Sequence, residues 1–212
     1  MTSADTMALQ VPVALGATIF FSNQNERNIG LTPLTMKTKF YIIPGLGESC
    51  QLARYKYLEK ILVTKGYDVF CVEPDWYKPL SKQVFKVSKN DIICGFSFGA
   101  VLAYLITKKY KCKMTFFASL SPIHKFSFKS LEKDFQKDVS GRVGKEKAIS
   151  LGTKLARDIK NIDVSLEKLK TPYITMSGGL ERGMPAKIRI PRTGHRMTRI
   201  YADTIAKIVT DL

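Results

Sequence analysis

Histidine is scarce in this chain, two in 212 residues, and acidic residues are few: 18 Asp plus Glu stand against 34 Lys plus Arg. The four cysteines, at positions 50, 71, 94 and 112, form no C-x-x-C pair and no Cys/His spacing of a metal module, so no metal site is expected. No Gly-Lys-Ser or Gly-Lys-Thr occurs, and the strand-following Gly45-x-Gly47 continues to Cys50 where a dinucleotide-binding loop would place its third glycine. A bound nucleotide or other cofactor is therefore not expected. Internal repeats and low-complexity tracts are missing, and 45% hydrophobic with 25% charged residues excludes collagen-like, mucin-like and fully disordered chains. The one long apolar stretch, Met7 to Phe21, has no positive segment before it, is too short to span a bilayer and is broken by Pro12 and Gly16. Residues 1–35 read instead as an N-terminal extension, two short strands or a poorly ordered segment, and the regular pattern begins at Met36.

What is present points to one soluble α/β domain over residues 36–212. The net charge of +16 is mostly lysine spread along predicted helices, a solvated coat rather than a localised patch. Cys71 and Cys94 fall inside apolar strand-like runs, where a thiol packs as a small hydrophobe. All four cysteines read as reduced, which favours a cytoplasmic location.

From Lys37 onward, strand-like apolar runs alternate with segments of helical period, the pattern of a mostly parallel central sheet with helices on both faces. Strands are predicted at Phe40–Ile43, Tyr67–Val72, Asp91–Cys94, Met114–Leu120, Tyr173–Met176 and Ile188–Ile190. Ser49 is placed to cap a helix carrying Leu52, Tyr55, Leu58 and Leu62, which Gly66 ends. Ala100 to Ile106 is apolar on every side and must be central. The final helix, Met197 to Leu212, is expected to turn Ile200, Ile205 and Ile208 inward. Between the fourth and fifth strands, residues 125–170 form a lysine-rich insertion of helix and loop.

Gly95-x-Ser97-x-Gly99 lies between a buried strand and that central helix. A sharp turn there needs glycines beside the serine, lifts its hydroxyl clear of the sheet and aims helix N-terminal amides at charge developing next to it. A serine hydroxyl needs a base, and His195, on the loop between the last strand and the last helix, is the better placed of the two histidines; His124 follows Ser121-Pro122 without such placement.

Ile93-Cys94-Gly95-Phe96-Ser97-Phe98-Gly99-Ala100 resembles the nucleophile elbow of the α/β-hydrolases, and the similarity in motif order covers about residues 37–212. The resemblance implies a Ser, acid, His order along the chain, with Ser97 as nucleophile and His195 as general base. The loop Pro44-Gly45-Leu46-Gly47-Glu48-Ser49 resembles that family's oxyanion loop, with proline where many members have histidine. This makes the backbone N–H groups of Leu46 and Phe98 the oxyanion donors and puts Gly45 and Gly47 against the substrate. The family's acid follows the fifth strand here, where Gly178-Gly179-Leu180-Glu181 matches its Gly-x-x-Asp/Glu pattern, so Glu181 is the candidate. Too few residues separate Glu181 from the next strand for the usual helix; a surface pair with Arg182 is the other reading of Glu181, and Asp158 and Asp163 are the reserve acids. The insertion occupies the place of the family's cap and is short and polar, which implies an open cleft.

The reading that follows is a serine hydrolase of a carboxylic ester or thioester, acting on a small-molecule or carrier-bound acyl substrate. If Arg192 and Arg196 face the cleft, their guanidinium forks would favour an anionic one. Two rivals stand beside it. A non-catalytic binding protein of the same fold would carry an unreactive Ser97, and a basic nucleic-acid-binding module, favoured only by the net charge, would bind with steep salt dependence.

Overall fold

Short apolar runs rich in β-branched and aromatic residues, separated by segments of helical period, become parallel strands joined by crossover helices. A computed structural model describes residues 37–181 and 186–212, so the reading of residues 1–35 and the placement of Arg182 lie outside the described residues. The strands are β1 (Lys39–Ile43), β2 (Asp68–Cys71), β3 (Ile92–Phe96), β4 (Met114–Ala118), β5 (Tyr173–Gly178) and β6 (Ile188–Ile190). They form one sheet in the order β2-β1-β3-β4-β5-β6, and every pairing is parallel. The helices are α1 (Ala53–Thr64), α2 (Phe98–Lys109), α3 (Phe128–Val143), α4 (Lys145–Lys160) and α5 (Arg199–Thr210).

The two-residue period of each strand divides its side chains between two cores. Phe40, Ile42, Ile92, Cys94 and Phe96 pack with Tyr55, Leu58 and Leu62 of α1 and with Tyr201 and Ile205 of α5. Ile43, Ile93 and Phe117 point the other way, into a core built from α2 and the insertion. Helix α2 is buried over Phe98 to Tyr104, as its unbroken apolar pattern requires. The polar reading of the insertion holds for its outer face only: Leu131, Phe135 and Val139 of α3 and Leu155, Ala156 and Ile159 of α4 are buried in the same core as α2.

Three local expectations are corrected. Ser49 does not cap α1; the helix begins three residues later behind Leu52 with no side-chain cap, and the Ser49 hydroxyl donates to Glu73 Oε1 at 2.7 Å. Ile200 is 51% exposed, because the inward stripe of α5 runs through Tyr201, Ala202, Ile205, Ala206 and Val209 once Thr198 caps the helix. Most consequentially, the four thiols are not all reduced: Cys50 and Cys71 form a disulfide, with Cα atoms 6.0 Å apart. Parallel pairing of β1 with β2 brings the segment after β1 beside the carboxyl end of β2, where Cys71 is only half-buried. Cys94 does pack as a small hydrophobe, and burial pushes its thiol up to about 12, whereas Cys71 is taken up in the disulfide. The inference to a reducing compartment loses its ground accordingly. No helix among the described residues is long and apolar enough to cross a membrane.

Candidate active site

The carboxyl edge of a parallel sheet gathers the loops that follow its strands, and here the segments after β1, β3, β4, β5 and β6 meet at that edge. Ser97 stands between β3 and α2 with φ 53 and ψ −121, a strained left-handed backbone. The flanking glycines permit it. A Cβ on Gly95 would sit 2.5 Å from the Ala100 Cα, and one on Gly99 2.2 Å from the Pro44 carbonyl oxygen, so any larger residue at either position would collide with backbone.

Ser97, His195 and Glu181, separated by up to 98 positions, form one hydrogen-bonded chain. His195 Nε2 lies 2.7 Å from Ser97 Oγ, and His195 Nδ1 lies 2.5 Å from Glu181 Oε1. His195 reaches the serine from the loop between β6 and α5, its ring against Phe96 at 5.3 Å between centroids. Glu181 is not a surface carboxylate: it is 8% exposed and also accepts hydrogen bonds from Ser119 Oγ at 2.6 Å and the Gly178 N–H at 2.5 Å. Burial pushes its carboxyl up, but the hydrogen bonds from His195, Ser119 and Gly178 outweigh burial and hold it below the ordinary value of 4.5. An ionised carboxylate only accepts, so Nδ1 carries the ring proton and Nε2 is left to accept from the Ser97 hydroxyl. Asp158 takes the Ser81 hydroxyl and Asp163 pairs with Ser165 and Lys168 at the surface, so neither reserve acid joins this chain.

The segment after β1 lies against the serine. A Cβ on Gly45 would be 3.2 Å from the Ser97 Cβ, and the Glu48 N–H closes a turn on the Gly45 carbonyl at 3.1 Å. Leu46 and Phe98 follow Gly45 and Ser97 directly, so their amides belong to the two backbone segments that meet at the hydroxyl. Gly47, with φ +68, completes the turn and faces Asp138 of α3. Beneath the turn, Glu48 accepts from the Tyr55 hydroxyl and from Arg54 Nη2 at 2.5 Å, and Tyr55, by burial first and by the Glu48 charge second, is raised well above the usual phenol range. On its far side, Glu73 Oε1 accepts the Cys50 N–H at 2.7 Å next to the disulfide. Arg192 and Arg196 share the His195 loop and are exposed.

This six-stranded parallel sheet with its flanking helices is shared with many solved structures. The fold is that of the α/β-hydrolases. Alpha/beta hydrolase domain-containing protein 10 from mouse matches at 12% identity with a TM-score of 0.53, covering 85% of this chain and 89% of that one. Est1E from Butyrivibrio proteoclasticus matches at 12% identity and 0.54, over 82% and 86%. The NocB thioesterase domain, in covalent complex with a fluorophosphonate nocardicin G analogue, matches at 9% identity and 0.55, over 82% and 95%. No family model and no curated protein matches the chain.

Beyond the residues expected from sequence, this α/β-hydrolase fold places two serines from the segment after β4 at the site. Ser119, at φ 46, and the Tyr201 hydroxyl, 2.8 Å from it, brace Glu181. The Ser121 hydroxyl, buried, lies 3.3 Å from Ser97 Oγ. Because Ser97 gives its one proton to His195, Ser121 is the donor in that contact. The signal available in sequence was position alone: Ser119-Leu120-Ser121-Pro122 directly follows a strand whose carboxyl end faces the site. Among the described residues no group of three His, Cys, Asp or Glu converges as metal ligands.

Proposed function

We propose that the protein is a serine hydrolase that cleaves a carboxylic ester or thioester through an acyl-enzyme. The observation that carries this reading is the continuous chain from Glu181 through His195 to Ser97, at 2.5 and 2.7 Å. Ser97 Oγ attacks the acyl carbonyl carbon as its proton passes to His195 Nε2. The buried, ionised Glu181 holds the ring in the tautomer this requires and stabilises the imidazolium that forms. Negative charge developing on the carbonyl oxygen is met by the N–H groups of Leu46 and Phe98, backed by the N-terminus of α2. His195 then donates its proton to the departing alcohol or thiol, and water, activated by the same nitrogen, releases the acid from Ser97.

The shared fold with esterases and thioesterase domains agrees with this reading. Turnover of p-nitrophenyl acetate and an acetyl thioester tests it: wild-type protein should hydrolyse at least one, and Ser97→Ala should lose roughly three orders of magnitude or more in kcat. Equal turnover by Ser97→Ala would refute the assignment.

A further inference from the structure

A cavity of about 500 Å³ lies directly beyond Ser121, the residue whose hydroxyl touches the proposed nucleophile. That volume falls in the range of small-molecule sites, about 300–1,000 Å³. Its walls carry Leu120, Ile123, Ile162, Val164 and Leu166, from the segment after β4 and the segment after α4. Lys160, His124 and Asp163 also border it, so its charges are of both signs and select no single one. Six of its eleven lining residues are apolar, and they form a surface on which an uncharged chain can pack, with the polar groups beside it.

The two faces of the sheet decide which half of a substrate this cavity receives. His195 comes to Ser97 from the face covered by α1 and α5: its ring rests on Phe96, and Phe96, Met197 and Tyr201 belong to that core. The cavity lies on the opposite face, since Leu120, Ile123, Ile162, Val164 and Leu166 all pack with the core of α2 and the insertion. In acyl transfer the leaving atom must take its proton from the imidazole, so the leaving group departs on the His195 side. The group that stays bonded to the carbonyl carbon is then directed to the other side of Ser97.

We infer that this cavity binds the acyl portion of the substrate, an uncharged chain of medium length, with Ser121 at the end nearest Ser97. This rests on the hydrolase reading above and narrows it. Arg192 and Arg196 of the His195 loop are exposed and do not line this cavity.

The test uses the full chain with two matched ester series. In the first, the acyl group grows from acetyl through butyryl, hexanoyl, octanoyl and decanoyl on a constant p-nitrophenol; in the second, the alcohol grows from ethyl to octyl on a constant acetate. Each methylene buried in the cavity should raise kcat/KM about fourfold, up to a plateau, in the acyl series only. Val164→Trp, which fills the cavity away from Ser97, should lower the octanoyl-to-acetyl ratio of kcat/KM at least tenfold; Ile162→Trp serves if the first variant does not fold. A flat acyl series, a gain in the alcohol series instead, or an octanoyl-to-acetyl ratio unmoved by the folded variant would overturn the inference while leaving the hydrolase reading intact. Failure of a fluorophosphonate to label Ser97, together with no turnover in either series, would overturn both.

Discussion

Breaking the Cys50–Cys71 disulfide should cost stability in an amount set by the loop it closes. The two cysteines are 21 positions apart, and a cross-link of that span removes about 3 kcal/mol of denatured-state entropy in the chain-entropy account. For a domain of this size that corresponds to a melting temperature about 6–12 °C lower. The hydrogen bonds from the Cys50 N–H and the Ser49 hydroxyl to Glu73 join the same two segments and need not break with the disulfide, so the native arrangement should survive and the loss should appear chiefly in stability. The assay is calorimetry of untreated protein, of protein reduced under mild conditions, and of the Cys50→Ser/Cys71→Ser double variant, alongside a count of free thiols after denaturation without reductant. Two free thiols are expected, Cys94 and Cys112, both buried in the folded state. A count of four, or a double variant melting with the wild type, would refute the disulfide and the stability reasoning together.

The elbow should not tolerate a methyl group. Gly99→Ala places its Cβ 2.2 Å from the Pro44 carbonyl oxygen and should destabilise by about 1–3 kcal/mol or more in denaturant titration; a wild-type midpoint would contradict the close approach. Glu181→Gln keeps the shape of the acid but allows the wrong imidazole tautomer, and kcat should fall by roughly three to four orders of magnitude, measured on whichever ester the wild type hydrolyses. The pH dependence has a definite sign. Since the folded protein holds the Glu181 carboxyl below 4.5, its ionised form contributes stability above that pH, and the contribution is lost as pH falls through the lower folded value. The difference in melting temperature between wild type and Glu181→Gln should accordingly be level above 4.5 and shrink only below it; a difference that shrinks between neutrality and pH 5 would contradict this.

Much of the architecture is legible in the chain because two periodicities carry it. Ile92 to Cys94 and Phe116 to Phe117 are short, wholly buried runs, and such runs occur in parallel strands covered on both faces. Ser97 and His195 are legible for a different reason: an elbow leaves two glycines in fixed places, and with two histidines in the chain the choice of base is narrow. Glu181 is harder, since whether a carboxylate is buried depends on Ser119 and Tyr201, which no local pattern ties to it. The disulfide is illegible for the same reason in sharper form. Cys50 is brought near Cys71 by the register of β1 on β2, and the spacing of cysteines along a chain does not encode that pairing. Ile200 shows the limit of periodicity itself: neighbouring helix positions point about 100° apart, so an isoleucine one position before the inward stripe that starts at Tyr201 faces solvent.

The central claim is that the Ser97 hydroxyl is activated by His195. Mass spectrometry of peptides from protein treated with a fluorophosphonate tests it most directly. The account predicts a single phosphonylated serine, Ser97, with labelling abolished in Ser97→Ala and slowed by orders of magnitude in His195→Ala. Unmodified Ser97 after prolonged treatment, or a labelling rate that His195→Ala leaves unchanged, would contradict it.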